Sequence, residues 1–454
     1  MASTVNPSIP VVVVCNISET FYDFLSLAEN STVEAHLIRG EQYRGDRALI
    51  WVGDPKLVFV SLPIPNGKML CQQLGYDHTQ YAVPAEPSAW LSLDILREQA
   101  LMDQLVAYAG TNRTLQIIPY ATTRQFYQLV DSLRADYGLT IILPESPSPE
   151  SFWLRDYVDT KAGFRALASR WLPNADELLP EGYVCQTLET AAEVVHWFGL
   201  RQLTCIVKAN IGENGLGNLV VRPGDFETVA TILEFLHHHS FMHNLPLTVE
   251  AYVSADKLVS PSLEVFVPPL GQGDPYITYV SDQVFQGFGD FCGVLVTRDL
   301  LATSWYKTLA DSGLLMAKRL QELHYVGHFD MDAVVNDEGR AFLVEINPRR
   351  TGGSHVHDFA RFFFGSDYLD KVSLLSNDTL KSGAITDVTE LLEEIGDLLY
   401  PIEGQQRGAI VTVTSALEAH EFGCIFIGPT QADVLALQQQ MVDRMAQLDQ
   451  AKVS

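Results

Sequence analysis

The chain is poor in basic residues: 30 lysines and arginines stand against 56 aspartates and glutamates, which gives a formal net charge of -26. A surface this negative repels nucleic acid and anionic membranes, so we expect neither as a partner. A polyphosphate site on such a chain must gather its few cations locally or recruit Mg²⁺. Each place where lysines or arginines come together is therefore informative.

Cysteine is also sparse, and long hydrophobic runs are missing. No stretch approaches the ~20 apolar residues that cross a bilayer, and the apolar run at 11–14 is too short for a signal peptide and has no basic segment before it. The six cysteines are scattered and form no CxxC pair: Cys15, Cys71, Cys185, Cys205, Cys292 and Cys424. Several, such as Cys15 and Cys205, lie in apolar runs that favour buried free thiols. These features predict a cytoplasmic protein.

A chain of 454 residues that is 47% hydrophobic and 19% charged is long enough for two to four packed domains. Its first part alternates predicted strands at 9–15, 50–52, 57–62 and Thr114–Pro119 with helices at 91–108 and 122–133. This alternation predicts an α/β layer with a largely parallel sheet. Three prolines at 144–149 are typical of a stiff connector.

The rest of the chain has a different pattern. Residues 151–255 predict helix, strand, glycine-rich loop, strand, helix and strand, followed by strands at 262–267 and 276–280, a helix at 302–323 and a hairpin at 327–347. A polar stretch at 370–405 is predicted to be poorly structured. The chain is predicted to end with strands at 408–413 and 423–427 and an amphipathic helix at 431–448.

The hairpin carries the most specific chemical pattern. Two apolar-alternating strands flank an Asn-Asp-Glu-Gly turn at 336–339. Antiparallel pairing brings Asp332 and Glu345 to the same end of the hairpin, and Asn347 shares a face with Glu345. Carboxylate and amide oxygens of this kind suit Mg²⁺. An exposed acidic hairpin is the alternative, but buried-strand residues surround Glu345, where an unpaired carboxylate is costly.

A second pattern places Lys208 at the end of an apolar strand, before glycines at 212, 215 and 217 and another strand. Glycines let backbone N–H groups approach phosphate oxygens, and the lysine adds a point charge. The loop is neither a Walker A motif nor a Rossmann turn, because a strand and not a helix follows it. A plain hairpin with a glycine-rich turn has the same pattern.

Two further elements are ambiguous alone. The strand at 247–253 ends in polar residues and by itself indicates only a strand. Lys161 lies in the first turn of a helix, where the helix dipole does not favour a cation and a salt bridge is the simpler interpretation.

Taken in order, these four elements resemble the ATP-grasp superfamily over residues of about 150–365, with the strongest match at the hairpin that closes on Glu-Ile-Asn-Pro-Arg. The resemblance implies two subdomains that clamp ATP and the following roles. Lys161 and Lys208 hold the α- and β-phosphates, and the loop with Gly212, Gly215 and Gly217 covers the γ-phosphate. Glu250, Ala251, Tyr252 and Val253 form the adenine hinge, and Asp256 or Lys257 meets the ribose. Asp332, Glu345 and Asn347 bind Mg²⁺, for which Mn²⁺ is an expected substitute.

Within the superfamily, the segment at 421–432 is similar to the C-terminal unit of peptide ligases of the pheganomycin-synthesis type. This similarity implies an α/β pre-ATP-grasp domain at 1–145, a lid subdomain at 151–255, a large subdomain at 256–370 and a small C-terminal α/β unit at 400–454. The implied activity is an ADP-forming carboxylate–amine ligase that works through an acyl phosphate. Amino acid or peptide-like substrates and a possible homodimer follow from the same similarity.

One position departs from D-alanine–D-alanine ligases, which carry an arginine where this chain has Asp330. The departure argues against that activity and leaves Arg349 or Arg350 to face the transferred phosphoryl group. The general base for the amine stays open between His355, Glu264 and solvent. A ligase that uses a non-peptide amine, a thiol or bicarbonate remains an alternative, as does a catalytically inactive nucleotide-binding regulatory protein.

Overall fold

The computed structural model describes residues 5–255, 258–287, 289–402 and 404–453. Its strands are β1 (Val11–Val14), β2 (Leu57–Phe59), β3 (Gln80–Ala82), β4 (Thr114–Pro119), β5 (Thr140–Ile142), β6 (Gly182–Cys185), β7 (Cys205–Lys208), β8 (Asn218–Val221), β9 (Leu247–Ala251), β10 (Pro261–Val267), β11 (Tyr276–Gln286), β12 (Asp290–Val296), β13 (Gly327–Val335), β14 (Ala341–Asn347), β15 (Ser373–Lys381), β16 (Gly408–Val413) and β17 (Glu421–Gly428).

The α-helices are α1 (Ile17–Leu25), α2 (Ser31–Tyr43), α3 (Gly67–Gln73), α4 (Leu91–Arg97), α5 (Gln99–Tyr108), α6 (Arg124–Ala135), α7 (Trp153–Val158), α8 (Lys161–Trp171), α9 (Ala175–Leu178), α10 (Leu188–Leu200), α11 (Val229–His238), α12 (Tyr306–Glu322), α13 (Ser354–Phe364), α14 (Val388–Glu394) and α15 (Gln431–Val453). A 3-10 helix at Arg44–Ile50 extends from the end of α2. Among the described residues no helix is both long and apolar enough to span a bilayer.

The N-terminal sheet has the strand order β3-β2-β1-β4-β5, and all of its pairs are parallel. The predicted parallel α/β layer is therefore confirmed. The carboxyl ends of β1 and β4 lie side by side, where the buried Asn16 accepts a hydrogen bond from the Tyr120 N–H and donates one to the Ala121 carbonyl. This bridge fixes the segments that follow both strands, and open parallel sheets bind ligands at this edge.

Two antiparallel sheets follow. The small one has the order β6-β9-β7-β8, and the large one has eight strands in the order β14-β13-β10-β11-β12-β15-β17-β16. Strands β16 and β17, predicted for a unit at 400–454, join the large sheet through β15. Helices α7 and α8 bury Leu154, Phe164 and Ala168 in the same core as α12 and the β13–β14 hairpin. The helix that begins with Lys161 thus packs on the large sheet.

Three of the predicted elements differ clearly from the structure, which also contains strands that were not predicted, such as β6 and β12. Residues 44–50 form a 3-10 helix, so no strand occupies 50–52: a short apolar run does not distinguish a strand from another buried segment. The helix predicted at 91–108 is split at Glu98, which has extended backbone angles (φ -96°, ψ 105°). The stretch at 370–405 contains β15 and α14. The polar residues of β15 are compatible with a buried strand because they have hydrogen-bond partners; the Ser376 hydroxyl, for example, accepts a hydrogen bond from the Val294 N–H.

The six cysteines are buried free thiols, as predicted.

Candidate functional site

A cleft of about 270 Å³ lies where the three sheets meet. Ile17 and Tyr120 reach it from the carboxyl edge of the N-terminal sheet, Lys208 from the small sheet, and Asp332 and Glu345 from the large one. Residues from distant parts of the chain therefore face one space.

The hairpin pairs as predicted. Asp332 lies directly opposite Glu345 on β13 and β14, and Asp330 lies opposite Asn347. The Asp332 carboxylate accepts hydrogen bonds from Asn347 Nδ2 at 2.9 Å and from Gln283 Nε2 at 2.7 Å. All three predicted metal ligands line the cleft together.

Lys161 reaches the same place from the opposite wall. It is the first residue of α8, whose N-cap Thr160 accepts the Gly163 N–H, and its own N–H donates to the Asn210 carbonyl at 2.8 Å. The buried lysine ammonium forms an ion pair with the partly exposed Glu345 carboxylate. Burial lowers the pKa of Lys161, but the Glu345 carboxylate outweighs this and raises it. Lys161 thus makes the salt bridge that its sequence position suggested, and does so inside the cleft.

The carboxylates of the hairpin repel one another. Burial raises the pKa of Asp332 well above its usual range, and the charges of Asp330 and Glu345 raise it further. Burial also raises the pKa of Glu345, but Lys161 brings it down to about 2. A cation relieves this repulsion, and the oxygen-only donor set fits Mg²⁺. Within the described part of the chain, no group of three or more histidine, cysteine, aspartate or glutamate side chains is arranged to hold a metal. Mg²⁺ commonly takes one or two carboxylates together with substrate phosphates, and the hairpin supplies two carboxylates.

Lys208 ends β7 and is held by Glu250 of the neighbouring strand β9. Its Nζ lies 2.7 Å from Glu250 Oε2, and Arg165 Nη1 donates to Glu250 Oε1 at 2.8 Å. Lys208 lines the cleft, whereas the Glu250 side chain lies behind it. Glu250 therefore positions the lysine through its side chain.

The predicted adenine hinge follows on the same strand. The N–H groups of Ala251 and Tyr252 donate to the carbonyls of Glu181 and Thr204, at 2.7 and 3.0 Å. The segment 250–253 does not border the cleft. Its role as the hinge stays a prediction, and Asp256 and Lys257 lie outside the described residues.

The glycine-rich loop between β7 and β8 brings Gly212 and Gly215 to the cleft. Gly215 (φ +80°) and Gly217 (φ +83°) adopt left-handed backbone that favours glycine. A Cβ on Gly215 would lie 2.5 Å from the Gly289 carbonyl oxygen. The loop thus rests closely on the turn between β11 and β12.

The two candidate arginines lie in different places. Arg349 lines the cleft, with its guanidinium 4.8 Å from the centre of the Phe21 ring. Arg350 turns away: Glu145 accepts two hydrogen bonds from it at 2.8 Å, and Asp358 accepts a third at 2.8 Å. The structure therefore does not bring Arg350 to the cleft, because the buried Glu145 and the partly buried Asp358 bind its guanidinium.

The residues weighed as a general base lie elsewhere. His355 is fully buried, and burial together with the nearby Arg47 charge lowers its pKa well below the usual range. Glu264 binds His328 Nδ1 at 2.9 Å, in a buried group that also includes Glu145. Neither side chain borders the cleft.

Sequence reasoning missed a set of cleft residues from the N-terminal segment and the loop: Glu41, Arg44, Arg47 and Glu213. Arg44 and Arg47 lie in the 3-10 helix after α2, and Glu213 lies in the glycine-rich loop. The close spacing of these two arginines, in a chain with few basic residues, is the sequence feature that could have indicated them.

No protein-family model and no curated protein sequence matches this chain. The fold matches solved structures along nearly its whole length. N5-carboxyaminoimidazole synthetase from Staphylococcus aureus, also solved with ADP, aligns with a TM-score of 0.54 and 10% identity over 98% of this chain and 99% of that one. Biotin carboxylase from Campylobacter jejuni, solved as a β,γ-ATP complex, aligns with a TM-score of 0.57 and 13% identity over 94% of this chain and 89% of that one. The biotin carboxylase domain of 2-oxoglutarate carboxylase from Hydrogenobacter thermophilus was solved with MgADP and bicarbonate. It aligns with a TM-score of 0.51 and 12% identity over 93% of this chain and 86% of that one. This chain has the ATP-grasp fold.

Proposed function

We propose that this chain is an ATP-dependent carboxylate–amine ligase that forms an amide or peptide bond through an acyl phosphate and releases ADP and phosphate. The observation that carries the proposal is the meeting of Lys161 with the Asp332–Glu345 pair in one cleft. A cation and a pair of hard oxygen ligands from separate elements are what phosphoryl transfer requires.

Lys161 and Lys208 are proposed to hold the phosphates of ATP. Asp332, Glu345 and Asn347 would hold Mg²⁺, or Mn²⁺ in its place, which when bound neutralises phosphate charge. When ATP binds, its phosphates compete with Glu345 for the Lys161 ammonium, so the ion pair between these residues has to open. Glu250 keeps Lys208 in place during this change.

The chemistry follows from this arrangement. An oxygen of the substrate carboxylate attacks the γ-phosphorus, and the bond to the β–γ bridging oxygen breaks to release ADP. The amine then attacks the acyl carbon, phosphate leaves and the nitrogen loses a proton. Arg349 is proposed to stabilise the negative charge in both steps, since it lines the cleft as a buried guanidinium. The glycine-rich loop would exclude water, which otherwise hydrolyses the acyl phosphate.

The finer proposal is that both substrates are small molecules, amino acid or peptide-like, as in peptide ligases. Bicarbonate is a second candidate for the carboxylate, because one structural neighbour was solved with bicarbonate and MgADP. A homodimer stays a prediction.

The test is Mg²⁺-dependent release of ADP and phosphate from ATP, with amino acids, dipeptides and bicarbonate as substrates. Release that needs both a carboxylate and an amine, and an amide product found by mass spectrometry, are expected. Glu345→Ala should abolish release, whereas Glu338→Ala, at the exposed turn of the same hairpin, should leave it intact. ATP binding without turnover in any mixture would sink the ligase proposal in favour of a regulatory protein.

A further inference from the structure

The end of the cleft next to the N-terminal sheet contains a second arrangement of charges, which shares Arg349 with the proposed chemistry and adds Glu41, Arg44 and Glu213. Arg44 and Arg349 face each other there, from segments far apart in sequence. The carboxylate of Glu213 lies between them, with Oε1 at 3.6 Å from Arg44 Nη1 and Oε2 at 3.6 Å from Arg349 Nη2. Two guanidinium groups that flank one carboxylate are a geometry for binding an acid.

Glu213 is held loosely in this position. At 3.6 Å its oxygens are beyond the ordinary range of a charged hydrogen bond to either guanidinium group. Burial and the nearby Glu41 raise the pKa of Glu213 to about 8, in spite of Arg349 and Arg44. A substrate carboxylate can therefore compete for the two guanidinium groups with a side chain whose ionised form burial and Glu41 disfavour.

Glu41 supplies an independent sign of a ligand. The residue is 5% exposed and lines the same end of the cleft. Its Oε1 accepts from Asn214 Nδ2 at 3.2 Å and contacts Arg44, but among the described residues no donor meets Oε2. A buried carboxylate oxygen without a donor is costly, and an ammonium group satisfies it well.

The walls beside these charges are apolar. Ile17 begins α1 and Tyr120 follows β4, whereas Phe291 and Val294 lie in β12. An acid, an amine and a hydrophobic group can thus be accommodated at one end of the cleft.

We propose that this end of the cleft binds an amino acid with an apolar side chain, its carboxylate between Arg44 and Arg349 in place of Glu213 and its ammonium at Glu41. The inference rests on the proposed ligase function, because it names the class of one of the ligase's substrates. Binding of the amino acid at this site nevertheless requires neither ATP nor turnover. The glycine-rich loop closes over the empty site with its own carboxylate and exchanges it for that of the substrate. Arg44 and Glu41 are specificity-determining residues in this scheme.

The test measures binding by isothermal titration calorimetry without ATP, at pH 7. The probes are L-phenylalanine, L-phenylalaninamide, which lacks the carboxylate, and 3-phenylpropionate, which lacks the amine. We expect L-phenylalanine to bind at least about tenfold more tightly than either analogue, as the loss of a charged partner implies. Equal binding of all three, or no binding by the wild type and Glu213→Ala alike, would overturn the proposal.

Three variants sharpen the test. Glu213→Ala removes the competing carboxylate from a loop and should tighten binding several-fold. Arg44→Gln should weaken binding of L-phenylalanine while leaving that of L-phenylalaninamide unchanged. Arg39→Gln is the matched control, because it removes the same charge from the end of α2, where Arg39 is 39% exposed and paired with Glu418 outside the cleft. Weakened binding in the Arg39 variant, or no change in the Glu213 variant, would count against the proposal.

The two proposals can fail separately. Binding with this pattern of probes and variants, but without ADP release from any mixture, would contradict the ligase alone. ADP release with an amine and a carboxylate that Arg44→Gln and Glu213→Ala both leave unchanged would contradict the amino acid site alone.

Discussion

Lys208 Nζ lies 2.7 Å from Glu250 Oε2, and both side chains are almost completely buried. This pair fixes the end of β7 to β9 at the point where the glycine-rich loop begins. Because Arg165 binds the other oxygen of Glu250, one carboxylate balances two cations. Removing a single partner from such a pair leaves an uncompensated buried charge.

A double-mutant cycle tests the coupling. We expect Glu250→Gln to lower the free energy of unfolding by about 3 kcal/mol, and its coupling with Lys208→Met to be about 1–3 kcal/mol. Urea denaturation followed by circular dichroism measures both. The exposed pair Arg201–Glu181, also at 2.7 Å, is the control and should show coupling below about 1 kcal/mol. Equal coupling in the two cycles would contradict the role given to burial.

The hairpin carboxylates give a second prediction. Asp332→Asn should reduce Mg²⁺-dependent ADP formation by about 100-fold or more, because a hard anionic ligand becomes a neutral one. The rise in Tm that MgATP produces in the wild type should shrink in the variant. Asp311→Asn, which changes an exposed aspartate of α12 that is paired with Lys307, should leave both measurements unchanged. Full ADP formation by the Asp332 variant would remove this residue from the proposed metal site.

The close approach of Gly215 to Gly289 gives a third prediction. Gly215→Ala meets both an unfavourable positive φ and the Gly289 carbonyl oxygen, 2.5 Å from the new Cβ. Gly224→Ala meets only the first, since its φ is +91° and no atom lies within 4 Å of the added Cβ. Both variants should lose about 1 kcal/mol of stability from the backbone. ADP formation should fall only in the Gly215 variant, and an equal loss in both would show that the contact does not matter.

The buried histidine of β13 gives a pH dependence. Burial lowers the pKa of His328, but Glu264 and Glu145 outweigh it and raise the pKa to about 9. A raised pKa means that the folded state holds the proton more tightly. The stabilisation is therefore complete below the unfolded pKa of about 6.5 and is lost as the pH rises through about 9. Glu264, whose pKa these contacts lower to about 2, loses its contribution only in strong acid.

His328→Gln should accordingly cost the most stability at pH 6, on the order of 2 kcal/mol, and progressively less towards pH 9. Denaturant midpoints across this range measure the difference between variant and wild type. A difference that stays constant from pH 6 to pH 9 would exclude the titration of His328 as the cause.

The hairpin shows how much of the candidate site could be predicted from the sequence. The turn at 336–339 and the alternation on either side predicted the hairpin, with Asp332 and Glu345 at the same end of it. Their direct pairing depends on a β-bulge between Asp332 and Ala333, which the local pattern did not indicate. The pattern failed at 370–405, where polar residues indicated a loose segment. Those residues are buried in β15, because neighbouring strands supply their hydrogen-bond partners.

What the sequence by itself determined is the set of local elements: the parallel layer at the start of the chain, the strand that ends in Lys208, the glycine-rich loop and the acidic hairpin. Periodicity and turn residues act over a few neighbours, so they are readable without a fold. Only the tertiary structure decided that Arg44 and Glu41 share a cleft with Glu213 and Arg349, and that Glu145 keeps Arg350 out of it. Those contacts join segments far apart along the chain, and they exist because the three sheets pack together.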